Sequence, residues 1–278
     1  MLDRVEMLDV GESFACAFRP GAMGGDDHVL CWGDNMEGQL QNSSRVDSSD
    51  WGYALPVCGP ATPADGGCMF DAPFLGSTDL EVVDLAVGAR HACAVVNETT
   101  TSVDGRLYCW GDNGNGQLGR SIDADNQPPT AAIFAVGSPP ELWENTASVE
   151  ASNSLTCAIR SDRDGVFCFG SGLLDNIDAF NADELEAAED ATIPAHAVAV
   201  DDEVVCALTL QQNAGTWERN VVCAGNGDAQ DRLGVGATQN GYQAGRPVCR
   251  SGSYTASPNC VPYATARMRA CAELTAGN

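Results

Sequence analysis

The chain has 278 residues and a net charge of −25, from 39 acidic residues against 14 basic ones, and every one of the 14 is arginine. So negative a surface repels nucleic acid phosphates and anionic membranes, which excludes nucleic acid as a partner. No apolar run approaches the roughly 18 residues that a membrane-spanning helix needs, so direct membrane insertion is excluded as well.

The first elements in chain order are three short apolar segments that recur further along. An alternating segment at 5–11 precedes the motif FACAF around Cys16, and the motif VLCWG around Cys31 follows after a polar stretch. The same order returns as HACAV and LYCWG, as LTCAI and VFCFG, and as VVCAL and VVCAG. Segments of this kind predict strands, and their recurrence predicts a repeat protein.

Each repeat places two cysteines at mirrored positions about a polar tip. Residues equidistant from the turn of an antiparallel hairpin face each other at a distance close to what a disulfide requires. We therefore predict four disulfides, Cys16–Cys31, Cys93–Cys109, Cys157–Cys168 and Cys206–Cys223. The alternatives are free thiols packed as small apolar side chains and a zinc site, although the usual zinc ligand spacing is absent.

A turn rich in glycine and polar residues follows the second cysteine motif in the first two repeats. It reads GDNMEGQL at 33–40 and GDNGNGQLG at 111–119. Because Gly supplies positive φ and Asp and Asn bond their own backbone, both copies predict a tight turn with an apolar leucine anchor. A calcium loop is the alternative, but Gly114 stands where an oxygen ligand would be needed. The residues of this structural repeat motif are Trp32, Gly33, Gly38, Gln39, Leu40, Trp110, Gly111, Gly116, Gln117, Leu118 and Gly119.

Two insertions, at 41–76 and 237–260, share Pro-Val-Cys and a second cysteine further on. We predict a local disulfide in each, Cys58–Cys68 and Cys249–Cys260. Loops pinned on a rigid scaffold are where binding surfaces usually lie, although such loops also occur without any partner. A third irregular segment, 178–192, carries helix formers and several acidic residues, and it predicts a short solvated helix or a loop.

The order of apolar strand, HACAV, polar tip and LYCWGDNGNGQLG resembles the repeat of the regulator-of-chromosome-condensation family, whose members fold as seven-bladed β-propellers. The resemblance is closest in 80–119, good in 5–40 and weaker in 147–172 and 195–236, where Phe169 and Ala224 replace the tryptophan. It implies an all-β chain that forms a partial β-propeller over 1–278. Repeats are expected at approximately 5–40, 80–119, 147–172 and 195–236.

Cys271 matches the first cysteine of a fifth repeat that begins near 261. Four blades and the start of a fifth do not supply seven, so we expect an incomplete ring whose missing blades lie on a longer chain. Paired cysteines in each repeat look like the exported bacterial branch of the family. Since disulfides persist in oxidising compartments, we expect an extracellular, cell-surface or periplasmic location, although MLDRVEMLDVG has no signal peptide.

None of the common catalytic or cofactor-binding motifs occurs, and His28, His91 and His196 lie at dissimilar positions in their repeats. We therefore expect no catalytic residue, no cofactor and no metal. The leading hypothesis is a non-enzymatic binding module that recognises a protein or a glycan through its loops. One alternative is guanine-nucleotide exchange on a small GTPase, as the family's founding member performs. The other is a propeller lyase or hydrolase, which would bring carboxylates or histidines together at one mouth of the channel.

Overall fold

The structure, a computed structural model, describes residues 4–20, 28–40, 55–56, 80–98, 102–120, 127–131, 133–135, 141–162, 165–170, 183–184, 186–187, 191–192, 195–201, 204–213, 216–227, 241–247, 249–251 and 261–262. Every regular element within these ranges is a β-strand, which confirms the predicted all-β class. No helix that could span a membrane is found among them.

Three four-stranded antiparallel sheets follow one another along the chain, each with its strands in sequence order. We call them blades 1, 2 and 3. Their strands are, for blade 1, β1 (Met7–Val10), β2 (Phe14–Arg19), β3 (His28–Gly33) and β4 (Leu55–Pro56); for blade 2, β5 (Leu80–Val87), β6 (His91–Glu98), β7 (Val103–Gly111) and β8 (Gln127–Ala131); and for blade 3, β11 (Thr146–Ser152), β12 (Leu155–Arg160), β13 (Gly165–Gly170) and β14 (Asp183–Glu184).

Blade 4 has the same order but belongs to a larger sheet of six strands. Its own strands are β17 (Ala195–Asp201), β18 (Val204–Asn213), β19 (Thr216–Gly227) and β20 (Gly241–Pro247), extended at the β20 edge by β15 (Glu186–Ala187) and β16 (Ala191–Thr192). Two small two-stranded sheets complete the described elements, β9 (Ile133–Ala135) with β10 (Glu141–Leu142) and β21 (Cys249–Ser251) with β22 (Val261–Pro262).

The outer strand of each blade is the part that the sequence did not predict. Strand β4 lies within 41–76, and β20 and β21 lie within 237–260, the two ranges taken as insertions. Pro56 and Pro247 pair with register-equivalent residues of the third strand, Leu30 and Val222, so the recurring Pro-Val-Cys marks the end of an outer strand. Proline is tolerated in β4 because an edge strand has a side that needs no donor, and in β20 it stands at the last residue of the strand. The helix alternative for 178–192 is wrong where the segment is described, because β14, β15 and β16 fall inside it.

The blades pack face to face, and each pair of neighbours shares its own apolar cluster. Phe14 and Leu40 of blade 1 pack with Val87 and Trp110 of blade 2. Equivalent clusters join blade 2 to blade 3 and blade 3 to blade 4. Burying one such side chain contributes roughly 1.5–3 kcal/mol, so the interfaces between blades hold most of the core.

The first strands of the four blades lie side by side, β1 against β5, β5 against β11 and β11 against β17. First strands inside, outer strands outside and face-to-face packing are the arrangement of a β-propeller, in which blades of four strands surround a central channel. The predicted propeller fold is therefore confirmed. The first strands line the channel, and the turns that follow them form one of its mouths.

Candidate functional site at the channel mouth

The cysteines of the four hairpins are bonded within their blades. Disulfides join Cys16 to Cys31, Cys93 to Cys109, Cys157 to Cys168 and Cys206 to Cys223. The two members of each pair are directly opposite in the strand register, with Cα–Cα distances of 4.1–4.2 Å. This spacing is that of a non-hydrogen-bonded antiparallel pair, where the side chains approach most closely.

The remaining cysteines give no further pairing within the described part of the chain. Cys249 begins strand β21, but its side chain lies outside the described residues. The same holds for the other predicted partners and for the extra cysteine, Cys58, Cys68, Cys260 and Cys271. The disulfides Cys58–Cys68 and Cys249–Cys260 stay predictions.

Side chains hold the glycine-rich turn of blade 1, because several of its backbone N–H groups donate to side-chain oxygens and not to another strand. Asn35 Oδ1 accepts a hydrogen bond of 2.8 Å from the Leu40 N–H, and Gln39 Oε1 accepts one of 2.9 Å from the Glu37 N–H. Asp34 Oδ1 accepts a third from the Met36 N–H at 3.1 Å. These oxygens are thereby engaged inside the turn.

The turn of blade 2 repeats this pattern. Asn113 Oδ1 accepts from the Leu118 N–H at 3.0 Å, and Gln117 Oε1 accepts from the Asn115 N–H at 2.8 Å. Asn113 and Gln117 are fully buried, as Asn35 and Gln39 are in blade 1. The amide oxygens of both residue types therefore serve the turn itself.

The glycine after each third-strand cysteine is required by its neighbours. Gly111 has φ 101°, and a Cβ on it would lie 2.5 Å from the Arg90 carbonyl oxygen. Gly33 has φ 118°, and its Cβ would lie 2.5 Å from the Ser13 carbonyl oxygen. Only glycine combines this backbone conformation with so close an approach.

The same turns reach across to the next blade. Trp110 Nε1 of blade 2 donates to the Gln39 carbonyl of blade 1 at 3.0 Å, and Thr156 Oγ1 of blade 3 donates to the Gln117 carbonyl of blade 2 at 2.8 Å. Trp110 follows the second cysteine of its hairpin and Thr156 precedes the first cysteine of its hairpin, so they stand at directly opposed positions of the repeat. The repeat motif therefore forms part of the interface between blades.

His91 lies fully buried at the second of these interfaces. Its Nε2 is 2.8 Å from Thr156 Oγ1, and that hydroxyl donates its hydrogen to Gln117, so the histidine must donate to it. Burial lowers the pKa of His91 to about 4, with Asp112 and the backbone of Asn153 acting in the opposite direction. His91 is a neutral structural residue. His196 is exposed on β17, and the side chain of His28 lies outside the described residues.

A cavity of about 560 Å³ opens at the mouth formed by the turns after the first strands. The described residues that line it come from all four blades, from Asp9 and Glu12 of blade 1 through Val87 and Glu150 to Val200 of blade 4. Three of them are carboxylates and none is basic. The mouth therefore carries a negative potential that low-dielectric walls concentrate.

Two aspartates tie neighbouring first strands together below this mouth, and we call them the interblade clasps. Asp9 Oδ1 accepts from the Val10 N–H at 2.9 Å while its Oδ2 accepts from Val87 of blade 2 at 2.6 Å. Asp84 repeats the arrangement, with Oδ1 on the next residue of its own strand and Oδ2 on the Val149 N–H of blade 3 at 3.0 Å. Each clasp therefore ties a first strand to the backbone of the next blade.

Glu150 is the titrating member of this group. Desolvation in the cavity, together with the charges of Asp9 and Asp84, raises the pKa of Glu150 to about 7. Desolvation also raises the pKa of Asp84, although the N–H groups of Val149 and Leu85 oppose that effect. The channel thus holds a carboxyl that exchanges its proton near neutral pH beside an aspartate held by backbone donors.

Sequence analysis did not identify these carboxylates. Asp9 and Glu150 each stand opposite the first cysteine of their blade, in register with Cys16 and Cys157. Aligning the first strands on the cysteines would have placed both at one position facing the channel. Within the described residues, no group of three or more His, Cys, Asp or Glu is arranged to hold a metal ion.

Residues 104–159 match the family model described as "Regulator of chromosome condensation (RCC1) repeat". The match runs from the third strand of blade 2 to the second strand of blade 3, so it includes the second glycine-rich turn.

Solved structures with a similar fold include that of human WBSCR16, with a TM-score of 0.59 and 15% identity. The alignment covers 91% of this chain and 57% of that one, so this chain spans less than two thirds of its length. The CRINKLY WD40 ectodomain of the Arabidopsis thaliana receptor kinase ACR4 aligns with a TM-score of 0.38 and 16% identity, over 81% and 51% of the two chains. The ectodomain of the Physcomitrella patens receptor kinase CR4 gives 0.33 and 18%, over 78% and 49%.

The repeat at 104–159 and the blades on either side of it agree with the resemblance found in the sequence. The chain is a β-propeller, and its residues 104–159 are similar to the regulator of chromosome condensation (RCC1) repeat.

Proposed function

We propose that the chain is a non-enzymatic binding module that works outside the cytoplasm and recognises a protein or a glycan. The observation that carries the proposal is the disulfide in each of the four blades. Seven of the eight cysteines are buried, and Cys206 is half-buried. Structural disulfides of this kind belong to oxidising compartments, where a binding surface needs a scaffold that survives without chaperones.

A count of free thiols tests the location. Protein made through an oxidising secretory route is alkylated without reduction, and mass spectrometry maps the modified cysteines. We expect no alkylation at the eight hairpin cysteines. Alkylation of several of them in folded protein would contradict the proposal and would favour the cytosolic exchange-factor hypothesis, which requires reduced thiols.

The channel mouth is the binding surface that the described residues support. Glu12 and Glu150 present carboxylate oxygens at the mouth without a basic residue among the described lining residues, and the carboxylate of Asp9 beside them is held by backbone donors. Such oxygens accept strong hydrogen bonds from the cationic side chains of a protein and weaker ones from sugar hydroxyls. A partner that inserts an arginine or lysine into the mouth would gain both charge and hydrogen bonds.

Two probe sets separate the partner classes, an array of neutral glycans and an array of peptides with and without arginine or lysine. We expect the wild type to retain basic peptides and Glu12→Arg to release them. The matched control is Glu6→Arg, which makes the same charge change on an exposed residue outside the cavity. Equal loss in both variants would indicate a nonspecific charge effect, and no retention of either probe set would contradict binding at the mouth.

The inserted loops are the second surface to test. Replacing 59–67 and 252–259 by short Gly-Ser linkers spares strands β4, β21 and β22. If the loops recognise the partner, binding disappears while thermal stability is kept. Unchanged binding would assign recognition to the channel mouth.

A second candidate, a glycan lyase or hydrolase, is favoured by one specific observation. Glu150 has a pKa of about 7 and lies near Asp9, whose carboxylate is held by backbone donors. A carboxyl with a pKa near 7 is protonated in part of the molecules at neutral pH, as the general acid of glycoside cleavage must be. Release of reducing ends from neutral or uronate polysaccharides, lost in Glu150→Gln at unchanged stability, would support catalysis over binding.

A further inference from the structure

The glycine-rich turn of blade 2 contains two of the four Asn-Gly pairs in the chain, Asn113-Gly114 and Asn115-Gly116. In such a pair the backbone nitrogen of the glycine attacks the side-chain carbonyl carbon of the asparagine, because glycine has no Cβ to hinder the approach. The attack closes a succinimide ring, and the side-chain nitrogen leaves with the amide proton as ammonia. Water then opens the ring at either carbonyl, which gives aspartate or isoaspartate.

Asn113 is held firmly against this reaction. Its side chain is fully buried, its Oδ1 accepts from the Leu118 N–H at 3.0 Å, and its Nδ2 donates to the Arg120 carbonyl at 3.2 Å. The attacking nitrogen of Gly114 is engaged as well, because it donates to Asp112 Oδ1 at 2.8 Å. Attack on Asn113 therefore requires three hydrogen bonds and the burial of the side chain to be lost together.

Asn115 is held less firmly. Its side chain is exposed, and its Nδ2 donates to Ser154 Oγ of blade 3 at 3.3 Å, just beyond the usual range of such a bond. The attacking nitrogen of Gly116 donates to the Asn113 carbonyl at 3.0 Å. Each hydrogen bond makes the necessary opening roughly 2- to 10-fold rarer. The additional bond and the burial of Asn113 should therefore slow its reaction by roughly 10-fold or more relative to Asn115.

The contact between Asn115 and Ser154 repeats one between blades 1 and 2. There Glu37 Oε1 accepts from Arg90 Nη1 at 3.4 Å. Glu37 and Asn115 both stand directly before a glycine of their turns. Arg90 and Ser154 both stand directly before the second strand of their blades. This position of the turn therefore accommodates a carboxylate, to which the hydroxyl of Ser154 can donate.

We propose that Asn115 is a site of spontaneous deamidation in the folded protein, whereas Asn113 of the same turn is protected. The aspartate product keeps the contact with Ser154. The isoaspartate product lengthens the backbone by one atom in a turn where the Asn115 N–H donates to Gln117 Oε1 at 2.8 Å, so it weakens the junction of blades 2 and 3. Both products place a negative charge beside Ser154, the residue after Asn153 of the cavity lining.

Peptide mapping by mass spectrometry tests the proposal on the full chain, incubated folded at mildly alkaline pH and then reduced and digested with trypsin. Both asparagines fall in one peptide, 107–120, and fragment ions assign a mass increase of one dalton to either of them. We expect conversion at Asn115 to run roughly 10-fold or more ahead of conversion at Asn113. Chain unfolded in urea is the reference, in which the two sites should convert at similar rates. Equal rates in the folded protein, or no conversion at Asn115, would overturn the proposal.

Ser154→Ala tests the contact that restrains Asn115. It removes the acceptor of Asn115 Nδ2 and should accelerate conversion there by roughly 2- to 10-fold, with no change at Asn113. The matched control is Ser13→Ala, the same change directly before the second strand of blade 1, where the serine contacts Asp34. It should leave the rate at Asn115 unchanged. Equal acceleration in both folded variants, or none in Ser154→Ala, would refute the role of the contact.

Asn115→Asp reproduces the first product. Because Ser154 can reverse its hydrogen bond, this variant should keep the thermal unfolding midpoint of the wild type. The isoaspartate form, separated from aged protein by ion exchange, should unfold at a lower temperature. A midpoint equal to that of the wild type for the isoaspartate form would contradict the effect on the junction of blades 2 and 3.

Discussion

Removing one hairpin disulfide measures what the staple contributes to stability. In Cys93→Ala/Cys109→Ala, the lost cross-link closes a separation of 16 residues, for which the chain-entropy relation gives about 3 kcal/mol at 25 °C. Both cysteines are fully buried between strands, so the smaller alanine side chains also lose packing. We therefore expect a loss somewhat above 3 kcal/mol in the free energy of unfolding.

Urea unfolding followed by tryptophan fluorescence provides the assay. The comparison variant is Cys206→Ala/Cys223→Ala, whose separation of 17 residues predicts nearly the same entropic loss of about 3 kcal/mol. Because Cys206 is half-buried, less packing is lost there. A loss below about 1 kcal/mol for the blade 2 pair, or a larger loss for the blade 4 pair, would refute the reasoning.

Three further predictions concern glycine, histidine and glutamate. Gly111→Ala should lower the free energy of unfolding by at least ~2 kcal/mol in a thermal unfolding experiment, because the φ of Gly111 is 101° and the new Cβ would meet the Arg90 carbonyl. Gly114→Ala should change the stability little, because its Cβ would meet nothing closer than 3.3 Å. The pKa of His91 falls from 6.5 to about 4 on folding, so the stability that neutral His91 contributes is present above pH 6.5 and is lost as the pH falls towards 4. His91→Gln should make the free energy of unfolding less dependent on pH in this range. The pKa of Glu150 rises from 4.5 to about 7 on folding, so the stability that protonated Glu150 contributes is present below pH 4.5 and is lost as the pH rises through 7. Glu150→Gln should therefore raise the free energy of unfolding at alkaline pH and not at acid pH.

The hairpins could be predicted because their information is local. Cys93 and Cys109 lie at mirrored positions about a polar tip. The alternation of apolar residues and this mirrored spacing are enough to predict which strands pair and in which register. The glycine-rich turn could also be predicted, because glycine and asparagine, as at Gly116 and Asn113, are the residue types that such a turn requires.

The channel and the outer strands could not be predicted in the same way. The clasp between Asp9 and Val87 joins residues 78 positions apart in sequence, through one backbone N–H that no side-chain pattern reveals. The outer strands β4 and β14 contain only two residues each, too few for any periodicity to develop. In blades 1 and 4, the pairing of the outer strand with the third strand is marked in the sequence only by the recurring Pro-Val-Cys.

Each glycine-rich turn contains positions whose side chains hold the turn together and positions whose side chains do not. At Met36 and Glu37, and at Gly114 and Asn115, the turn uses the backbone N–H and leaves the side chain at or near the surface. Any residue except proline supplies that N–H. Each blade with such a turn therefore offers two adjacent sites for a randomised library, which makes the scaffold suitable for displaying variable dipeptides on a disulfide-bonded frame.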